Sequence, residues 1–270
     1  MKSAVKITTA SLFSLLFPSD CRICGSALVH FARLPVCEPC LAQLKPLDGL
    51  LCRICGEKLF SSHVVGAEGP LCGLCRRAEP LFRRATAYGA YEGVLRELIH
   101  LFKYERVQPA GLLLGRLLAQ AAQNVQMPQQ TLVVPVPLWS GRLRDRGFNQ
   151  AEAIAKAFLR LHRHSSIQLD TSVLARTRET ASQTGLTRRQ RRVNVRGAFA
   201  VTSPDRVKGR SVLIVDDVMT TGTTAAECAR VLRRAGAKEV FVATVARATR
   251  EVERIMVSPV NAHGGIRGHA

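Results

Sequence analysis

Eight of the nine cysteines stand in four Cys-x-x-Cys pairs, Cys21/Cys24, Cys37/Cys40, Cys52/Cys55 and Cys72/Cys75. The first and third pairs read Cys-Arg-Ile-Cys-Gly, and the glycine in each (Gly25, Gly56) lets the backbone turn beneath a metal so that two sulfurs converge on one ion. Intervals of 12, 11 and 16 residues separate the pairs, room for a short hairpin or loop between two knuckles, as in tetrahedral four-cysteine zinc sites. A disulfide framework would need an oxidising compartment, and a redox Cys-x-x-Cys would need one pair beside a βαβ unit. The spacing therefore predicts two structural Zn2+ sites. The same spacings serve a sequential arrangement (first pair with second, third with fourth) and a cross-braced one; the sequential arrangement is favoured.

Four thiolates leave no coordination position for a substrate, so residues 21–80 form a folding and recognition module. His63 is expected to be a loop histidine. The ninth cysteine, Cys228, shares a helical stripe with Val231, Leu232 and Ala235 and is expected to be a buried free thiol. Residues 1–20 carry a short apolar run, Ala10 to Phe17, that ends in Pro18-Ser19-Asp20 with no small-residue cleavage site. They are read as an amphipathic segment on the body of the protein. No run of apolar residues is long enough for a transmembrane helix.

Past Arg77 the pattern changes to alternating strands and helices. Ala85 to Ala90 is a strand candidate, and Leu95, Leu98, Ile99 and Phe102 have the spacing of a helix face that ends near Lys103-Tyr104. Pro109 opens a second helix with Leu112, Leu113, Leu117 and Ala121 on its stripe. Leu132 to Pro137 reads as a buried strand, followed by a helix over 150–161 with Ala151, Ile154, Ala155, Phe158 and Leu161 inward. Ser211 to Val215 is another apolar strand, with a helix from about Gly222 to Ala235, Gly236 at its C-terminal turn and a last strand over 240–245. Continuous apolar strands alternating with helices predict an α/β fold with a parallel sheet covered on both faces, over 81–257. Residues 258–270 are a polar, glycine-rich tail expected to be disordered.

In open parallel sheets ligands collect beyond the carboxyl ends of the strands. The string there is V-L-I-V-D-D-V-M-T-T-G-T-T (212–224). Thr220, Thr221, Thr223 and Thr224 offer hydroxyls, Gly222 lets the backbone approach closely, and the helix N-terminus adds amides and a positive dipole end. That combination suits a phosphate. Asp216 and Asp217, read as part of the loop after Val215, suit a ribose diol or Mg2+. A Walker loop would need a lysine before its last threonine, and a dinucleotide fingerprint more than one glycine.

The formal net charge is +19, with 39 Lys+Arg against 20 Asp+Glu, which favours anionic partners. Residues 138–200 hold 13 basic and four acidic groups. With aromatic residues at 5%, platforms of stacked bases are disfavoured against phosphate contacts. Arg188, Arg191 and Arg192 lie three and four apart, so in a helix they would line one face and could grip a pyrophosphate or a DNA backbone.

The chain resembles the ComF/GntX competence family, which places a double zinc ribbon ahead of a type I phosphoribosyltransferase domain. The resemblance covers about residues 12–250. It rests on the cysteines, L-I-H-L-F-K-Y (98–104), V-V-P-V-P-L (133–138), R-L-R-D-R-G-F-N-Q-A (142–151), Q-T-G-L-T-R-R-Q-R-R-V-N-V-R-G-A-F (183–199) and the string at 212–224. It implies that 5-phosphoribosyl-1-pyrophosphate (PRPP) binds with Mg2+. Asp216 and Asp217 would then be catalytic groups at the ribose hydroxyls and metal, and Thr220 to Thr224 would hold the 5-phosphate. Arg142, Arg144 and Arg146 would lie in the pyrophosphate loop, and 176–196 would be a flexible loop carrying Arg188, Arg191 and Arg192. It further implies a cytoplasmic role in DNA uptake with an acceptor still open. The alternative is a non-catalytic competence factor that binds single-stranded DNA through its zinc ribbons and basic loops, alongside the helicase and recombination proteins of competence.

Overall fold

Strands buried on both faces need two covering layers, and the chain supplies them on either side of one five-stranded sheet. The computed structural model describes residues 20–28, 33–60, 65–66, 69–161, 166–181 and 187–248. Among the described residues the cysteine module contains two short helices, α1 (Glu38–Leu41) and α2 (Gly73–Arg77), and a small antiparallel pair, β1 (Val65–Gly66) with β2 (Gly69–Pro70). Then follow β3 (Arg84–Ala90), α3 (Gly93–Tyr104), α4 (Gln108–Gln123), β4 (Thr131–Pro135), α5 (Ser140–Arg146), α6 (Gln150–Leu161) and β5 (Gln168–Leu169). After these come β6 (Leu174–Arg176), α7 (Arg188–Val195), β7 (Phe199–Val201), β8 (Ser211–Met219), α8 (Thr223–Arg234) and β9 (Glu239–Arg247). Among the described residues no helix is long and apolar enough to cross a membrane.

The sheet order is β3-β9-β8-β4-β5 with every pairing parallel, while β6 and β7 form a separate antiparallel pair. Period-two alternation sorts the strand residues into two cores. Val133, Leu213, Val215, Phe241, Ala243 and Val245 pack with α3, α4 and α6. Leu132, Val134, Val212, Ile214, Val240 and Val242 pack with α8, β7 and the second cysteine cluster.

The zinc-ligand candidates follow the same division. Cys21 and Cys40 belong to the first core, and Cys52, Cys55, Cys72 and Cys75 to the second, so the two knuckles straddle the edge strand β3. Leu47 N–H donates to the Tyr88 carbonyl at 2.6 Å, and Ala85 N–H to the Ile54 carbonyl at 2.6 Å. The module thereby covers a backbone edge that would otherwise invite pairing with another chain. Gly56, at φ 67°, comes so close that a Cβ there would lie 3.1 Å from the Ala85 carbonyl oxygen.

Three readings need correction. β8 does not end at Val215: it stays paired with β9 through Asp216, opposite Thr244, and Met219, opposite Arg247. The acidic pair therefore sits on the strand, not in the loop. Leu112 is exposed and Leu113 only partly buried, because α4 turns Ala110, Leu114, Leu117, Leu118 and Ala121 inward. Leu161, at the end of α6, is exposed while Ile154, Ala155 and Phe158 are fully buried. The predicted amphipathic segment before Asp20, the tail and His63 lie outside the described residues. Cys228 is fully buried, and burial raises its thiol well above its ordinary value.

Candidate active site

A cleft of about 340 Å³ opens at the carboxyl ends of β4 and β8. One wall is the threonine-glycine loop before α8. Gly222, at φ 75°, occupies the N-cap of α8 and supplies no side-chain cap, while the Thr223 amide donates to Thr221 Oγ1 at 3.4 Å. A Cβ at Gly222 would come within 2.7 Å of Met219 Cε. Thr221 and Thr223 hydroxyls are 3.0 Å apart and shape the turn. Thr220, Gly222, Thr223 and Thr224 line the cleft, whereas Thr221 does not.

The floor carries the two carboxylates. Lys103, arriving from the end of α3, donates from Nζ to Asp217 Oδ1 at 2.7 Å, the side chains being 14% and 12% exposed. Burial opposes the charge on Lys103, but Asp217 more than offsets it and holds the amine above its ordinary value. Asp216 Oδ1 accepts instead from the Asp217 backbone amide at 2.9 Å. Burial and the adjacent Asp217 push the Asp216 carboxyl up to about 7, as expected of two acids sharing one nearby cation.

The opposite wall is cationic. Arg142 and Arg146 reach the cleft from α5, Arg176 from β6 and Arg191 from α7. Arg191 is 3% exposed. Burial and the neighbouring Arg142 pull Arg176 below its ordinary value, the mark of cations crowded together. Arg146 also lies 5.2 Å above the ring of Tyr104, which is exposed at the rim. Of the other predicted arginines, Arg144 and Arg192 are exposed and face away from the cleft. Arg188 begins α7, which a Thr187/Gln190 capping box starts; the expectation that Arg188, Arg191 and Arg192 share one face fails, because Arg192 lies about 100° round the helix from the buried Arg191 and is exposed.

Lys103 and Arg176 were not singled out by the sequence reading. A signal for Lys103 exists, since it follows Leu95 and Ile99 at helical spacing on the buried stripe of α3, where lysine is rarely found unless paired. Arg176 offers no comparable sign.

The cysteines gather as two sets, Cys21, Cys24, Cys37 and Cys40, and Cys52, Cys55, Cys72 and Cys75, with the sulfurs of each set within 4.8 Å of one another. Close pairs measure 3.6 Å (Cys24/Cys37), 3.9 Å (Cys21/Cys40) and 3.6 Å (Cys55/Cys72). A Zn–S bond of about 2.3 Å in tetrahedral geometry requires sulfur separations of about 3.8 Å, so both sets fit zinc in the sequential arrangement.

Comparison with known proteins agrees. A double zinc ribbon family model matches residues 12–77 and a phosphoribosyl transferase domain model matches 112–261. The DNA utilization protein YhgH of Escherichia coli O157:H7 is 36% identical over 236 residues, covering 84% of this chain and 96% of that protein. Competence protein F of Haemophilus influenzae is 32% identical, covering 82% and 93%. Among solved structures, the glutamine PRPP amidotransferase from B. subtilis is 28% identical over 50% of this chain and 26% of its own, a loose likeness with a TM-score of 0.32. With both halves matched in order and relatives aligned over nearly their whole length, the chain belongs to the competence and DNA utilization family that joins a double zinc ribbon to a phosphoribosyltransferase domain.

Proposed function

We propose that the cleft binds PRPP with Mg2+ and transfers its phosphoribosyl group to an acceptor, in the cytoplasmic handling of DNA. One observation carries this reading: a carboxylate pair, Asp217 buried and Asp216 partly so, heads a threonine-glycine loop at a helix N-terminus and shares one cleft with Arg142, Arg146, Arg176 and Arg191. Thr220, Gly222, Thr223, Thr224 and the α8 amides hold the 5-phosphate, with Thr221 shaping the turn behind them, and Asp216 and Asp217 address the ribose hydroxyls. The four arginines collect the pyrophosphate. As the C1–O bond breaks, its electron pair leaves with pyrophosphate and the acceptor lone pair closes on C1; cations on the leaving group favour that charge separation. The oxygen donors of Asp216 and Asp217 fit Mg2+, which when bound would supply further charge stabilisation.

Calorimetry of PRPP binding with and without Mg2+, followed by a screen for pyrophosphate release over candidate acceptors, tests this. Binding that requires Mg2+ and is lost in Asp216→Asn and Asp217→Asn is expected; wild-type protein that gives no binding heat would overturn it.

A second reading, single-stranded DNA binding, is favoured by Tyr104, whose exposed ring is stacked by Arg146 at the cleft mouth, a pairing suited to an unstacked base and its phosphate. It requires affinity that falls steeply with salt and weakens in an Arg188/Arg191/Arg192→Ala variant. Salt-independent affinity would sink it.

A further inference from the structure

Arg247, the last residue of β9, is 4% exposed and touches both the second cysteine cluster and the threonine-glycine loop before α8. Its Nη1 donates to the Met219 carbonyl at 3.2 Å and also to the Thr220 carbonyl. Its Nη2 faces Cys55 Sγ at 3.8 Å and Glu57 Oε2 at 3.5 Å, the Glu57 side chain being likewise 4% exposed. One guanidinium thus spans from a zinc-ligand candidate to the two carbonyls where β8 becomes the loop.

A zinc ion held by four thiolates carries a net charge of about −2. In a buried setting that charge attracts the Arg247 cation strongly, and an N–H donor to a metal-bound sulfur is the usual outer support of such a site. Glu57 alone is one countercharge; the loaded cluster adds the larger one. Held from that side, the rigid planar fork fixes the other side, where both accepting carbonyls directly precede Thr221 and Gly222.

We propose that Arg247 is a positioning residue that ties the order of the 219–224 loop to occupancy of the Cys52/Cys55/Cys72/Cys75 site, so that zinc there and a phosphorylated ligand in the cleft stabilise each other. The choice of PRPP as ligand rests on the function proposed above; the coupling of metal to loop order does not.

The test is hydrogen exchange at the backbone amides of 220–224, with those of β4 as internal reference, on full-length protein with zinc bound and after partial chelation. In the wild type, loss of the second zinc speeds exchange at 220–224 about tenfold or more while β4 stays protected. In Arg247→Met these amides exchange fast even with zinc bound, and chelation changes them no further. Unchanged exchange in the stripped wild type, or a full response in Arg247→Met, overturns the proposal. Should Arg247→Met not fold, Arg247→Lys, which keeps the charge but not the fork, serves instead with the same expectation.

PRPP calorimetry forms the second arm. If wild type binds PRPP, zinc-loaded Arg247→Met binds roughly tenfold more weakly, and PRPP slows zinc loss from the wild-type second site by a like factor, since linkage is reciprocal. If wild type shows no PRPP heat, the functional reading fails and the exchange arm alone decides the coupling. Equal PRPP affinity in wild type and Arg247→Met, both with zinc retained, overturns the coupling while leaving the function intact.

Discussion

Lys103 Nζ and Asp217 Oδ1 lie 2.7 Å apart, closing a separation of 114 residues inside the cleft. The pair is nearly buried, so removing the cation strands two carboxylates together. Lys103→Met is expected to cost about 3 kcal/mol of stability, read from thermal or urea unfolding. Mg2+ should recover part of that loss in the variant more than in the wild type, because it would replace the missing countercharge.

The raised Asp216 carboxyl gives a pH signature. Its folded value of about 7 exceeds the ordinary 3.8, so between those values the folded state holds a proton that the unfolded state has released. Stability from this group is therefore lost as pH rises through that window. Urea midpoints of wild type should fall relative to those of Asp216→Asn between about pH 4 and pH 7 and level off above that. Parallel midpoints would contradict it. Mg2+-dependent PRPP affinity should move the other way, tightening as Asp216 ionises.

Gly222 combines a left-handed backbone with contact to Met219. Gly222→Ala should cost about 1 kcal/mol of stability from backbone strain. Its loss of PRPP affinity should exceed that, since the strain falls where the proposed function places the phosphate. Calorimetry beside a thermal melt separates the two effects.

The two metal sites should release zinc at different rates. Cys24 is exposed and Cys37 partly so, while all four ligands of the second site are buried. A colorimetric chelator should therefore withdraw about two equivalents in a fast and a slow phase, with Cys24→Ser abolishing the fast one. A single phase would contradict the difference in burial.

Arg191 and Arg192 are neighbours with opposite exposures. Arg191→Ala should weaken PRPP binding about tenfold or more, as expected when a charged contact is lost, while Arg192→Ala leaves it unchanged. A reduced salt dependence of DNA affinity in Arg192→Ala alone would assign the outer arginine to nucleic acid.

Features encoded by neighbours in the chain were legible without coordinates. The Cys-x-x-Cys knuckles, the apolar strands and the threonine-glycine loop before α8 each place their chemistry within one turn or one strand. Even there the strand length differs, because β8 continues through Asp216 and Asp217 to Met219, held by the pairing of Asp216, Val218 and Met219 with β9 and not by the propensity of the aspartates.

The sequence by itself determined the two four-cysteine sets, the parallel α/β architecture and the threonine-glycine loop before α8, since residue type and local spacing carry those instructions. Only the tertiary structure decided which charges face one another. Lys103 reaches Asp217, Arg176 and Arg191 close on the cleft, and Arg247 joins Met219 and Thr220 to Cys55 because parallel crossovers bring distant strand ends together. The energies of these partnerships depend on separation and burial, and neither is a property of sequence distance.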